Sequence, residues 1–122
     1  KSTLLNSPFG MRKDPYTGQN VMHKGVDFAV DEGADIFATA DGVVVFAGNQ
    51  GKYGKSIVID HGFGLQTHYT HLSQFKIDIG SKVGRGQVIG LAGATGLTTG
   101  VHLHYEVRLV GIPIDPERFI LP

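Results

Sequence analysis

The chain has 122 residues and equal numbers of acidic and basic side chains, 11 of each. It is the size of one domain and lacks the basic excess of a nucleic-acid partner. It contains no cysteine, which excludes a disulfide scaffold and Cys-ligated zinc and leaves six histidines, with Asp and Glu, to hold any transition metal.

No apolar run approaches membrane-spanning length and no signal-peptide pattern opens the sequence. The chain begins at Lys1 rather than Met. Residues 1–122 are therefore expected to be a single domain excised from a longer chain, with any targeting or anchoring segment upstream. Eighteen glycines and few helix-length periodicities predict many short strands, tight turns and little helix.

Residues 2–20 read as irregular. Asn6-Ser7-Pro8-Phe9-Gly10 and Asp14-Pro15-Tyr16-Thr17-Gly18 are turn chemistry, and Phe9 and Tyr16 are expected to pin this segment to the body. In His23-Lys24-Gly25-Val26-Asp27-Phe28, Gly25 and the β-branched residues argue against a helix. His23 then ends a loop and Asp27 opens a strand whose Val26, Phe28 and Val30 face the core. Taken alone, this pair reads as a loop histidine and a strand-start aspartate exposed to water.

Residues 35–38 and 42–47 read as two strands joined by a turn at Ala40-Asp41-Gly42. Residues 50–54 form a Gly-marked turn and 55–60 a strand, and His61 is read as a turn or packing residue. In Leu65-Gln66-Thr67-His68-Tyr69-Thr70-His71-Leu72, regular alternation places Thr67, Tyr69 and His71 on one face and His68 and Thr70 on the other. His71 is chosen for the site, and His68 is assigned to packing.

Residues 82–90 have the turn-strand-turn spacing of compact barrels. Residues 93–100 are a small-residue loop that leads into His102-Leu103-His104-Tyr105-Glu106-Val107-Arg108. As a strand, this stretch places His102, His104, Glu106 and Arg108 on one face and an apolar row on the other. His-x-His on a strand aims nitrogens at a metal; it is equally a polar outer face. Residues 112–119 read as a short strand and a Pro-initiated turn that closes the domain.

Together these motifs carry a resemblance. His23-x-x-x-Asp27, Tyr69-x-His71-Leu72, Gly84-x-Gly86-Gln87-x-Ile89-Gly90, Thr95-Gly96 and His102-Leu103-His104-Tyr105-Glu106 occur in the order of the LytM/lysostaphin family of zinc peptidoglycan endopeptidases, which the chain resembles from about Phe9 to about Phe119. The resemblance implies an all-β, compact antiparallel sheet or barrel-sandwich-like fold with an active-site groove. It implies zinc held by His23, Asp27 and His104, with His71 and His102 as catalytic histidines beside an open position. It also implies an extracytoplasmic location, in the periplasm or cell wall, and peptidoglycan stem peptides as substrate. Regulatory segments or partner hydrolases are implied as possible partners. No position of the family's metal and histidine pattern is missing; relatives that have lost ligands act only as activators.

The residue types suit the chemistry. Two neutral imidazoles, one carboxylate and an open position are a catalytic zinc pattern, whereas structural sites are closed by four protein ligands. His-Glu-x-x-His is absent, so His71 and His102 are the available proton carriers, one as base and the other as acid or oxyanion stabiliser. Glu106 is either the carboxylate that orients a histidine by accepting its ring N–H or a solvated carboxylate. Tyr69, sharing a face with His71, is expected to contact substrate.

The leading expectation is cleavage of D-alanyl–diamino acid cross-links, with glycyl-glycine bridges as the alternative within the class. A wall-binding or amidase-activating module on the same fold is the non-catalytic alternative. A biotin- or lipoyl-carrier barrel lacks its exposed modifiable lysine.

Overall fold

A computed structural model describes residues 4–7, 10–13, 20–23, 25–96 and 100–115. The strands are β1 (Leu4–Ser7), β2 (Gly10–Lys13), β3 (Asn20–His23), β4 (Val26–Ala29), β5 (Asp35–Phe37), β6 (Gly42–Asn49), β7 (Lys55–Gly62), β8 (Leu65–Phe75), β9 (Lys82–Val83), β10 (Val88–Ala92), β11 (His102–Leu109) and β12 (Ile112–Ile114). Among the described residues the only helical element is the 3₁₀ turn Gly51–Tyr53, and no helix is long and apolar enough to cross a membrane.

The fold is all-β, as expected. The main sheet runs β1-β4-β11-β8-β7-β6-β9, with β12 on β11 and β10 bridging β8 and β5. Every pairing is antiparallel, and the sheet does not close into a barrel. β2 and β3 form a separate hairpin.

One expected connection is corrected. β5 and β6 do not form a hairpin: β5 pairs with β10, and β6 with β7 and β9. The turn read at Ala40-Asp41-Gly42 instead carries the chain between two pairings. The roles expected of Phe9 and Tyr16, and the turn expected at 116–119, lie outside the described residues.

Alternation sorts the two faces of the sheet. Ile57 and Ile59 of β7, Tyr69 of β8, and Tyr105 and Val107 of β11 point into one core, joined by Ile36 of β5 and Ile89 of β10. Burying each of the larger aliphatic side chains is worth about 1.5–3 kcal/mol, so a one-residue slip of β8 or β11 is strongly disfavoured. This fixes what lies on the opposite face. Across β4, β11 and β8 the register sets Asp27 beside His104, His104 beside Thr70, and Glu106 beside His68.

Candidate metal and catalytic site

β4 reaches β11 through a close approach at Gly25. A Cβ there would lie 2.2 Å from the Tyr105 carbonyl oxygen and 2.7 Å from Cγ of Glu106. Only glycine lets the chain pass this near before Asp27 begins its pairing.

Asp27 and His104 then meet, both buried. Nδ1 of His104 lies 2.6 Å from Oδ1 of Asp27, and Nε2 lies 2.8 Å from Oε2 of Glu106. Carboxylates only accept, so both ring nitrogens donate. Burial opposes the charged ring, but the bonds to Asp27 and Glu106 outweigh it and raise the His104 pKa above the ordinary histidine value. Glu106 is itself gripped by Arg108, whose Nε and Nη2 donate to Oε1 at 2.9 and 2.6 Å. Burial favours its neutral acid, yet His104 and Arg108 prevail and hold the carboxyl down to about 2.

His102 and His71 flank this pair. His102 donates from Nδ1 to the Gly100 carbonyl at 3.0 Å, and its Nε2 lies 3.8 Å from Asp27. The ring of His71 stands 4.9 Å from that of His102 and 6.2 Å from that of His104. Regular alternation would have sent His71 to the core face with Tyr69. It does not arrive there, because β8 takes an extra residue: Tyr69 pairs with Ile57 but Leu72 with Lys55. The surplus falls at Thr70-His71, where His71 adopts φ 61. A non-glycine residue in this conformation is uncommon and here re-aims a side chain. Nδ1 of His71 donates to the Thr95 carbonyl at 2.7 Å, so Nε2 carries the lone pair. Burial pushes the His71 pKa below its ordinary value.

The bulge also corrects the role expected of Tyr69. Its side chain stays on the core face, 1 % exposed, with its hydroxyl bonded to Thr67 and Thr39. With Phe28, Leu65, Leu103 and Tyr105 it lines an apolar cavity of about 540 Å³ on the opposite side of the sheet from His104. It cannot serve a site on the histidine face.

His23 closes β3 opposite Gly10, so it ends a strand rather than a loop; its side chain lies outside the described residues. Among the described residues no three donors form a complete ligand set. The Asp27–His104 pair nevertheless fits a divalent transition metal by its chemistry. An anionic oxygen and an imidazole nitrogen face each other at 2.6 Å, bridged by a proton that a cation can replace. The other ring nitrogen is held by an outer carboxylate, as metal-binding histidines commonly are.

Two further residues border this site: Tyr53, which the sequence did not single out, and Thr95, quoted there only as part of a motif and with no role. Tyr53 stacks on His104, with ring centroids 5.6 Å apart at 23°; its only sequence signal is an aromatic set among glycines in a turn. Thr95 anchors His71 through its carbonyl, and its hydroxyl donates to the Leu72 carbonyl at 2.6 Å while accepting from the Lys55 N–H at 3.0 Å.

His68, read as a packing residue, is buried with no hydrogen-bond partner for Nε2. Burial, then the charge of Arg108, lowers its pKa to about 4, against the opposing pull of Glu106. The folded protein therefore takes up this proton only near pH 4, whereas the unfolded chain binds it below about 6.5. Stability from this group is present above pH 6.5 and lost as pH falls. Between pH 7.5 and 5 the loss should be about 2 kcal/mol. Urea unfolding at the two pH values should show a smaller loss in His68→Gln; an identical loss would mean His68 does not stay neutral.

Comparison with known proteins places these residues in a family. Residues 21–116 match peptidase family M23. The chain is 44% identical over 120 residues to the DD-carboxypeptidase/endopeptidase Mpg of Neisseria meningitidis, covering 98% of this chain and 28% of that protein. It is similar to the crystal structure of a zinc containing peptidase from Vibrio cholerae, with TM-score 0.88, 42% identity, and coverage of 97% of this chain and 37% of that one. It is also similar to the catalytic domain of lysostaphin from Staphylococcus simulans, with TM-score 0.86, 30% identity, and coverage of 98% and 91%. The chain thus spans under a third of the length of the Neisseria relative.

Proposed function

The chain belongs to peptidase family M23, and on that premise we propose that it is a zinc-dependent endopeptidase cutting peptide cross-links of bacterial peptidoglycan, with D-alanyl–diamino acid bonds as its target. Residues 1–122 act as one peptidase domain on the extracytoplasmic side. His23, Asp27 and His104 hold the metal, and His71 and His102 act on the substrate. The observation that carries this reading is the direction of His104: Nε2 is committed to Glu106, which leaves Nδ1 facing Asp27, with the His71 and His102 rings alongside.

When bound, zinc supplies a Lewis acid for the scissile carbonyl and lowers the pKa of a water molecule. His71 is the base. Its Nδ1–H is held by Thr95, so Nε2 takes the proton as the water oxygen attacks the carbonyl carbon. Burial keeps that ring neutral to lower pH than an ordinary histidine. The carbon–nitrogen bond then breaks, and the leaving amine takes a proton back from the imidazolium. His102, oriented by its bond to Gly100, holds the reacting group against His71.

The test is digestion of purified cross-linked peptidoglycan, with muropeptides separated and identified by mass. Dimers should fall to monomers with zinc-loaded protein, survive with chelator, and fall again when zinc is restored. His102→Ala should leave them intact. The monomer masses name the bond. Dimers that survive zinc-loaded protein, with tight wall binding, would replace the enzyme by a binding or activating module.

A further inference from the structure

We propose that Tyr53 is a positioning residue that fixes the ring plane of His104, and so sets how firmly this site holds its metal. The proposal rests on the metallopeptidase reading of the Asp27–His104 pair.

His104 is held by hydrogen bonds at both nitrogens, and both lie in the plane of the ring. Such bonds fix the direction of each nitrogen but resist tilting out of plane only weakly. Resistance to tilt must come from contact with a ring face. Tyr53 supplies it: its ring lies 5.6 Å from that of His104 at 23°, within the range of offset stacking. The same ring stands 6.5 Å from His71 at 46°, so one phenol borders both the ligand histidine and the base. Its electron-rich face also suits an imidazole that gives up electron density to a cation.

Tyr53 can do this only if its own backbone is fixed. It ends the 3₁₀ turn Gly51–Tyr53, and Gly54 follows at φ 68. A Cβ on Gly54 would lie 2.4 Å from the Thr95 carbonyl carbon, and one on Gly96 would lie 2.4 Å from the Gly54 nitrogen. The turn is thus seated against the segment whose carbonyl anchors His71. Stack and anchor are two outputs of one backbone contact.

The experiment measures metal affinity by competition with a chromophoric chelator, and the visible spectrum of the cobalt-substituted protein, for wild type, Tyr53→Phe, Tyr53→Leu and Tyr53→Ala. Circular dichroism and thermal unfolding establish the fold of each. Tyr53→Phe keeps the ring and should hold affinity within about twofold with an unchanged cobalt spectrum. Tyr53→Leu and Tyr53→Ala should weaken affinity about tenfold or more and shift the spectrum, as loss of outer-sphere support does. Leucine fills much of the space, so it decides the matter if the alanine variant unfolds. Wild-type affinity and spectrum in a folded Tyr53→Leu would overturn the proposal, as would a phenylalanine variant as weak as leucine. None of these readings uses peptidoglycan, so a protein that cuts no cross-link still tests the stack.

Discussion

His71→Gln should lower the rate of cross-link cleavage by about 10²–10⁴-fold, the usual worth of a positioned general base, while metal affinity changes by less than about threefold. Glutamine can still reach the Thr95 carbonyl through its amide, so the bulge at Thr70-His71 keeps a partner. What it cannot supply is an atom that takes a proton and returns it. The rate is read on a purified cross-linked muropeptide dimer, and the affinity by chelator competition. A variant keeping more than a tenth of the wild-type rate would remove His71 as the base. A variant that loses metal to the same degree as rate would make it a site-building residue instead.

The pH profile gives a second handle on the same group. A base works when unprotonated, so activity rises with pH through its pKa. Burial lowers the His71 pKa below 6.5, and the neighbouring His102 and His104 push the same way, against the bond to Thr95. A bound cation adds to the lowering. The acid limb of kcat/KM should therefore lie below pH 6.5 and be absent from the residual activity of His71→Gln.

The features legible in the sequence are those set by alternation and spacing. His102, His104, Glu106 and Arg108 share a face because β11 is regular, and opposite them Leu103, Tyr105 and Val107 pack in the core as expected, whereas Leu109 at the strand's end is exposed. His71 is the instructive exception. The assumption of regularity gave it Tyr69 as a neighbour, and one extra residue in β8 separates them. No propensity marks that insertion: a positive φ is expected at glycine, and here it falls on histidine. Tyr53 was hidden for a different reason. Its partner His104 lies 51 positions away, reached only through pairing of β7 with β8 and β8 with β11. A turn aromatic gives no hint of a contact at such separation. The β5–β6 hairpin failed because adjacency in sequence does not decide pairing when β10 offers β5 a partner.

Glu106→Gln should weaken zinc binding about 10–100-fold at pH 8. It should also cut the number of protons released when the metal binds near neutral pH. Glu106 serves two donors at once: Oε2 accepts from Nε2 of His104, and Oε1 accepts from the Arg108 guanidinium. A glutamine side chain has one acceptor oxygen. If that oxygen faces His104, its NH₂ is thrust against Arg108, a clash of donors. If it faces Arg108, the NH₂ meets Nε2 and favours the tautomer with the proton on Nδ1, where His104 faces Asp27. Either choice degrades the direction of Nδ1. The proton count follows from the same bonds. In the metal-free wild type, the bonds to Asp27 and Glu106 raise the His104 pKa, and that proton must leave as the cation enters. Removing the Glu106 charge lowers the pKa, so less proton is there to expel. Proton competition fades as pH rises, so affinity followed upward from neutral pH separates the orientation of His104 from its protonation. Calorimetry in buffers of different ionisation enthalpy gives affinity and proton count together. Weaker binding with an unchanged proton count would mean Glu106 supports the site without controlling protonation of His104. Unchanged affinity would mean that Asp27 and the stack on Tyr53 suffice to aim His104.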